Sequence, residues 1–248
     1  MKVAILSDVH SNLEALKACL AHAKSQGAEQ YAFLGDLVGY GADPVACLDI
    51  IQGHASRGAV VLLGNHDQAA ISGMCEEMNS VACEAINWTR LQLRPDQHTF
   101  LQDLPLTARA GDALYVHASA NEPSRWHYVT GGRQAARSMG ATETAYTFVG
   151  HVHHPMLYFR IAGQDMARSF HPAPGTPIPV GPVRQWLAIV GSVGQPRDGN
   201  NAASYVVMDY AKKSLTFFRI PYDYMTTAKK ILAANLPERL ALRLEHGR

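Results

Sequence analysis

The chain is expected to fold as an α/β domain, and three observations lead there. Short apolar runs alternate with segments of helical periodicity, beginning at the first residues. Five of the apolar runs end in glycine or in Asp, Asn and His, the residues of tight strand-end turns. Hydrophobic residues make up 47% of the 248 and charged residues 17%, ample apolar material for a continuous core. No Ser/Gly-rich or charged linker interrupts this pattern, so residues 1–248 read as a single domain.

In order, Val3 to Leu6 reads as a buried strand that ends in Ser7, Asp8, Val9 and His10. Leu13, Leu16, Leu20 and Ala23 then mark a helix face, with Ser11 and Glu14 spaced as a capping box. Tyr31 to Leu34 is a second strand, ending in Gly35 and Asp36. Asp43 and Pro44 open a helix carrying Val45, Leu48 and Ile51 on one face. Val60 to Leu63 is a third strand, followed by Gly64, Asn65, His66 and Asp67. Val81, Ala82, Ala85 and Ile86 give a helical stripe, and Phe100, Leu101 and Leu104 a second one that Pro105 stops. Ala113 to Val116 is a strand ending in His117, and a loop and helix with Arg125, Trp126, His127, Arg133 and Arg137 follow it.

Tyr146 to Val149 is a strand ending in Gly150, His151, Val152 and His153. Met156 to Ile161 reads as a strand, and the Pro/Gly-rich stretch 171–182 as irregular. Leu187 to Val190 and Tyr205 to Met208 are strands around a glycine-rich loop containing Arg197, and Leu215 to Ile220 completes a hairpin. The segment 225–246 reads as one or two helices that pack on the body or, in a homo-oligomer, on a partner chain.

Five strand ends thus carry Asp8 and His10, Asp36, Asn65 and His66, His117, and His151 with His153. Ligands of α/β sheets collect beyond the carboxyl ends of strands, so these residues are expected to converge. Carboxylate, imidazole and amide oxygen without thiolate suit Mn, Fe, Zn or Mg. Leaving His66 aside, seven donors exceed one tetrahedral zinc but serve two ions, with Asp36 as the bridge. Two divalent ions against Asp8 and Asp36 leave a positive site, which favours an anionic substrate, and paired ions suit in-line displacement at phosphorus.

A formal net charge of +1 without charge blocks does not indicate a nucleic-acid or membrane surface. No apolar run approaches a membrane span, and no signal peptide is read at the amino terminus. Cys19, Cys47, Cys75 and Cys83 lack CxxC spacing and suggest neither a disulfide framework nor a thiolate zinc site, so a reducing cytoplasm is expected.

The series DxH, GD, GNH(D), H and GHxH, running from Asp8 to His153 in that order, resembles the calcineurin-like metallophosphoesterase superfamily. The run GSVGQPRDGN with the following ASY is similar to the motif that closes its bacterial and archaeal phosphodiesterase branch. The resemblance implies an αββα sandwich, two mixed sheets flanked by helices. It implies two divalent or transition metal ions (Mn, Fe, Zn, Ni or Mg), one on Asp8, His10, Asp36 and His153, the other on Asp36, Asn65, His117 and His151. It further implies a phosphoesterase, foremost a phosphodiesterase, that attacks a small phosphoester with metal-bound hydroxide. Asp36, Asn65 and His66 would be catalytic, and Asn65, His66 and Arg197 would meet the substrate, His66 by contacting the phosphate or protonating the leaving oxygen. Arg197 is singled out because a guanidinium fork pairs two phosphate oxygens at once.

Two departures stand out: Gly39 and Tyr40 replace the acid and arginine that follow GD in the serine/threonine phosphatase branch, and Ile189 and Val190 replace the usual Asn-Pro before Gly191. An idle scaffold on the same fold is disfavoured by the presence of His66 and all the ligand positions, and a nuclease by the near-neutral charge.

Overall fold

The computed structural model describes residues 1–75, 78–161 and 164–248. The chain opens with β1 (Lys2–Leu6), whose side chains already define the layering. Val3 and Ile5 enter a core shared between two sheets, while Ala4 and Leu6 enter a core beneath helices. A strand covered on both faces is apolar throughout, which is why it reads as a run and not as an alternation. Helix α1 (Leu13–Ser25) is capped by Asn12, whose side chain accepts from Ala15 N at 3.1 Å. The expected Ser11–Glu14 box does not form, because Glu14 turns to Thr227 and Lys230 near the carboxyl end of the chain.

Strand β2 (Gln30–Phe33), helix α2 (Pro44–Ala55) and the short β3 (Val60–Val61) follow, and β1, β2 and β3 pair in parallel. Pro44 occupies the first turn of α2 as expected, but the Asp43 carboxylate accepts from Lys230 and not from the helix backbone. Helices α3 (Asn65–Ser72), α4 (Ser80–Gln92) and α5 (Pro95–Gln102) then cover the outer face of this sheet.

The second sheet begins with the hairpin β4 (Thr107–Ala110) and β5 (Ala113–Val116). After α6 (Gly132–Gly140) come β6 (Tyr146–Val149), β7 (Met156–Arg160) and β8 (Arg168–Phe170). The chain then crosses repeatedly between sheets through β9 (Ile178–Pro179), β10 (Gln185–Ile189), β11 (Ala203–Asp209) and β12 (Ser214–Ile220). The orders are β3-β2-β1-β11-β12-β9 and β4-β5-β6-β10-β7-β8, each with parallel and antiparallel pairs. Strands β4 and β8 were not legible in the sequence, and β9 lies in the stretch read as irregular. All three are edge strands, partly or wholly exposed, so no buried face imposes an apolar pattern on them.

The inter-sheet core joins Ile5, Leu34, Leu62, Tyr115, Phe148 and Phe217, and α6 packs Ala135, Ala136 and Met139 on Leu187 and Ile189 outside the second sheet. The result is an αββα sandwich with two mixed sheets. Helices α7 (Tyr224–Ala233) and α8 (Glu238–His246) close on the body, with Ile231, Leu240 and Leu244 sharing a cluster with Tyr40, Ala82 and Ala85. Cys75 and Cys83 are joined in a disulfide, with Cα atoms 5.4 Å apart, a pairing that the cysteine spacing did not suggest, while Cys19 and Cys47 are free and buried. Cys83 lies in the first turn of α4, and its nearness to Cys75 is a contact that spacing alone does not reveal. Among the described residues no helix is long and apolar enough to cross a membrane.

Candidate metal centre

The carboxyl ends of β1, β2, β3, β5 and β6 meet at one edge of the sandwich, and backbone bonds beyond the strands hold the turns together. Asp8 N donates to Gly35 O, His10 N to Asp36 O, and Gly150 N to His117 O, all at 2.8–3.0 Å. The turns are tight: Asp8, His10, Asp36, His151 and His153 all have positive φ, between 48° and 66°. Five non-glycine donors in the left-handed region cost free energy that the surrounding packing must offset, and such strain collects at functional sites. Gly64 and Gly150 allow the closest approaches, because a Cβ on Gly64 would strike Asp36 and one on Gly150 would strike Ser7 and Asp8.

Asp8, His10, Asp36, His117, His151 and His153 are all buried. His153 Nε2 lies 3.3 Å from both Asp8 Oδ1 and His10 Nε2. His117 Nε2 lies 3.2 Å from Asn65 Oδ1 and 3.2 Å from His151 Nδ1. Between the two groups stands Asp36 Oδ2, 3.7 Å from His10 Nε2 and 3.4 Å from His117 Nε2. The seven donors expected from the sequence therefore converge as two sets around one carboxylate. Within them, Asp8–His10–His153 and Asp36–His117–His151 have donor atoms close enough to hold a metal ion.

The tautomers strengthen this fit. His10 Nδ1 donates to Val38 O at 3.1 Å, His117 Nδ1 to Leu34 O at 2.9 Å and His153 Nδ1 to Gln195 O at 2.6 Å. A carbonyl can only accept, so each Nδ1 carries a proton; the neutral rings of His10 and His153 turn an Nε2 lone pair inward, and that of His117 does so once its second proton leaves. Lone pairs 3.3 Å apart on His10 and His153 repel unless a cation stands between them, and the oxygen and imidazole donors suit a first-row or magnesium ion.

Electrostatics agree. Burial disfavours charge on Asp36, but His117, His66 and His10 outweigh it and hold the carboxyl well below its usual range. Burial also pushes His117 down, yet Asp36's charge and hydrogen bond lift it to about 9, so a proton occupies this corner when no cation does. Burial keeps His10, His151 and His153 neutral, His151 being lowered to about 3.

His66 is buried beside this cluster, with its backbone N–H donating to Asp36 Oδ1 at 2.8 Å. Burial lowers its pKa to about 4. Its Nδ1 is buried and has no hydrogen-bond partner among the described residues. A Cβ on Gly39, where φ is +88°, would lie 2.6 Å from that nitrogen. The position at which the phosphatase branch carries an acid is thus pressed against His66 and occupied by glycine. The neighbouring Tyr40 packs its ring 4.5 Å from His66 and 4.7 Å from His10. Arg197 stands one layer farther out, its guanidinium carbon 5.7 Å from the Tyr40 ring and its Nη2 donating to Gln195 Oε1 at 2.8 Å. The loop carrying Arg197 crosses from the second sheet to the first and touches the centre through Gly194 N, which donates to Asp8 O at 2.9 Å, and Gln195 O, which accepts from His153 Nδ1.

One residue of the GNHD turn takes a part that the sequence did not disclose. Asp67 is fully buried; its Oδ1 accepts from Leu37 N at 2.9 Å and Val38 N at 3.1 Å, and its Oδ2 from Gly64 N at 2.9 Å. It ties the turn bearing Asp36 to the turn bearing Asn65 and His66. Burial and the charge of Asp36 push its carboxyl up to about 7 despite those donors. Its place directly after His66 was the available signal, but a turn aspartate ordinarily caps its own helix.

Comparison with known proteins agrees with this geometry. Residues 1–213 match the family model of the calcineurin-like phosphoesterase superfamily domain. The chain is similar to the uncharacterized protein MJ0912 of Methanocaldococcus jannaschii, with 32% identity over 256 residues covering 99% of this chain and 98% of that protein. Among solved structures it is similar to a metallophosphoesterase from Sphaerobacter thermophilus, with 35% identity, full coverage of both chains and a TM-score of 0.88. The hypothetical protein PH1004 from Pyrococcus horikoshii OT3 shares the fold, with 20% identity over 100% of this chain and 98% of that one and a TM-score of 0.75. With the family model spanning most of its length and donor groups gathered at its strand ends, the chain belongs to the calcineurin-like phosphoesterase superfamily and is a phosphoric ester hydrolase.

Proposed function

We propose that the chain is a phosphodiesterase working with two divalent metal ions, one on Asp8, His10, Asp36 and His153 and the other on Asp36, Asn65, His117 and His151. The observation that carries this reading is the position of Asp36 Oδ2, within 3.7 Å of His10 Nε2 and 3.4 Å of His117 Nε2, where one oxygen serves both sets. Ions held there would supply Lewis acidity and a water of lowered pKa for displacement at phosphorus.

The protein's own groups do the rest. The backbone carbonyls of Val38, Leu34 and Gln195 hold the Nδ1–H of three imidazoles, so their Nε2 atoms already face the centre before binding. His66, whose pKa burial lowers to about 4, is neutral at pH 7 and offers an N–H to a phosphate oxygen or to the leaving oxygen. With Gly39 in place of an acid, its orientation comes from the Tyr40 ring and from packing. Arg197 binds the phosphate through its guanidinium fork, a role supported by its position over Tyr40 at the rim of the centre.

Elemental analysis of the purified protein tests the reading, with about two transition-metal ions per chain expected. Bis(p-nitrophenyl) phosphate should be hydrolysed, EDTA should abolish the activity and Mn²⁺ should restore it. A metal-free protein that gains nothing from Mn²⁺, Ni²⁺ or Fe²⁺ overturns the enzyme, and full activity with a single tightly bound ion overturns the paired centre.

A further inference from the structure

A cleft of about 440 Å³ opens beside the centre, with Asn65 and His151 in its lining. That is the scale of pockets that enclose a whole organic molecule, far above the ~30 Å³ share of one water. Its other walls include Trp126 and Tyr128 from the segment after β5, and Met74 and Met78 from the segment between α3 and α4. Tyr128 is 55% exposed and Met74 70%, so apolar surface is held open to solvent around this mouth. Solvent-exposed aromatic and thioether groups gathered at one concave place mark a recognition surface.

The aromatic wall is built to stay put. The Trp126 indole N–H donates to Gln68 Oε1 on α3 at 3.0 Å, and its ring stands edge-on to His117 with centroids 5.7 Å apart. Tyr128 stacks on His151 at 4.0 Å, with 28° between the planes. The backbone bears strain to present them, since Glu122 and Trp126 have φ of 55° and 52° on either side of the short turn Pro123–Arg125. Left-handed conformation costs a bulky residue roughly 1–2 kcal/mol, and packing alone gives no reason to retain it twice in an exposed loop.

From these observations we infer that this cleft binds one ester arm of the substrate, and that the arm is a planar aromatic or heteroaromatic group. The inference rests on the phosphodiesterase reading above and adds the class of alcohol. The cleft adjoins Asn65 and His151, both of the Asp36–His117 set, so the arm extends from that side of the centre. Rigid rings in the wall reward another ring through offset or edge-on contact, beyond what equal apolar area provides. Fixing them in advance spares the ordering cost that flexible side chains would add on binding.

Calorimetry on the Mn²⁺-loaded protein tests this without turnover, using phosphonates in which CH₂ replaces the ester oxygen. Benzylphosphonate should bind at least about tenfold more tightly than ethylphosphonate, with (cyclohexylmethyl)phosphonate clearly weaker than benzyl. Trp126→Ala should reduce the benzyl-to-ethyl ratio to below about threefold while metal content and ethylphosphonate affinity stay within about twofold, and Trp126→Phe should keep most of the ratio. Equal binding of benzyl and ethyl compounds, equal binding of benzyl and cyclohexylmethyl compounds, or a ratio that survives Trp126→Ala overturns the inference. The three-ligand comparison on the unaltered protein decides it even where Trp126→Ala does not fold. Hydrolysis of bis(p-nitrophenyl) phosphate with no benzyl preference defeats the cleft assignment alone; benzyl preference without hydrolysis defeats the phosphodiesterase reading alone.

Discussion

Removing the carboxylate of Asp67 should loosen the centre without touching a single metal donor. Asp67→Asn keeps one oxygen for Leu37 N and Val38 N but turns an amide N–H₂ toward Gly64 N–H, so one of three bonds becomes a donor–donor contact. Leaving a buried backbone donor unsatisfied costs about 1–3 kcal/mol. The expected loss is therefore ~2 kcal/mol, or roughly 4–8 °C in Tm for a domain of this size. Asp67→Ala orphans all three donors and opens a small cavity. If water recovers part of that, the loss is roughly 3–6 kcal/mol, or about 6–24 °C. Because Asp67 couples the Asp36 turn to the Asn65–His66 turn, kcat of the Asn variant should also fall by at least about tenfold through misplacement of His66 against Asp36. Melting curves on metal-saturated protein, with metal content measured alongside, provide the check. Both variants melting within about 1 °C of the parent would refute the argument that these three bonds join the turns.

Loading metal at pH 7 should release about one proton per chain, because His117 sits near 9 in the metal-free centre while His10, His66, His151 and His153 are already neutral; calorimetry in buffers of different ionisation enthalpy counts it, and zero or three protons would contradict the charge states. The same groups set the stability of the metal-free protein, which should peak near neutrality. Below about 6.5 it falls as histidines with lowered pKa values must charge and as Asp8 and Asp36, also lowered, lose their charge. On the alkaline side it falls as His117, raised in the fold, loses its proton between about 6.5 and 9, whereas Asp67, also raised, opposes the acid-side trend between about 4 and 7; a flat pH–Tm profile would contradict this. Asp36→Asn should lose metal, whereas His66→Gln should retain it and lose roughly 10²–10⁴ in kcat; a His66→Gln variant with full turnover would remove His66 from the mechanism. Arg197→Ala should leave metal content unchanged and lower kcat/KM by roughly ten- to a hundredfold, or about 1.4–2.7 kcal/mol, with Lys restoring only part; unaltered kinetics would return Arg197 to a surface role.

By itself the sequence determined the order of strands and helices through the core and the identity of the donors at the strand ends. Both are local properties. Val3 to Leu6 is apolar because two layers cover it, and Asp8, His10, His151 and His153 follow strands directly, so a short window reveals strand and donor together. Glycine before Asp36, Asn65 and His151 was legible for the same reason, since close backbone approach at Gly64 and Gly150 admits no side chain. What only the tertiary structure decided involves partners far apart in the chain. Asp67 reads as a helix-capping turn residue until the β2 turn is brought within 3.1 Å of it. Glu14 and Asp43 read as caps until Lys230, more than 180 positions away, takes both carboxylates. Edge strands β4, β8 and β9 have no buried face to write a pattern, and Trp126 and Tyr128 look like ordinary loop aromatics until His117 and His151 stand beside them. Burial imposes chemistry on consecutive residues, whereas a hydrogen bond or a cleft wall asks only that two distant residues arrive at one place, and a single sequence records the first constraint far more plainly than the second.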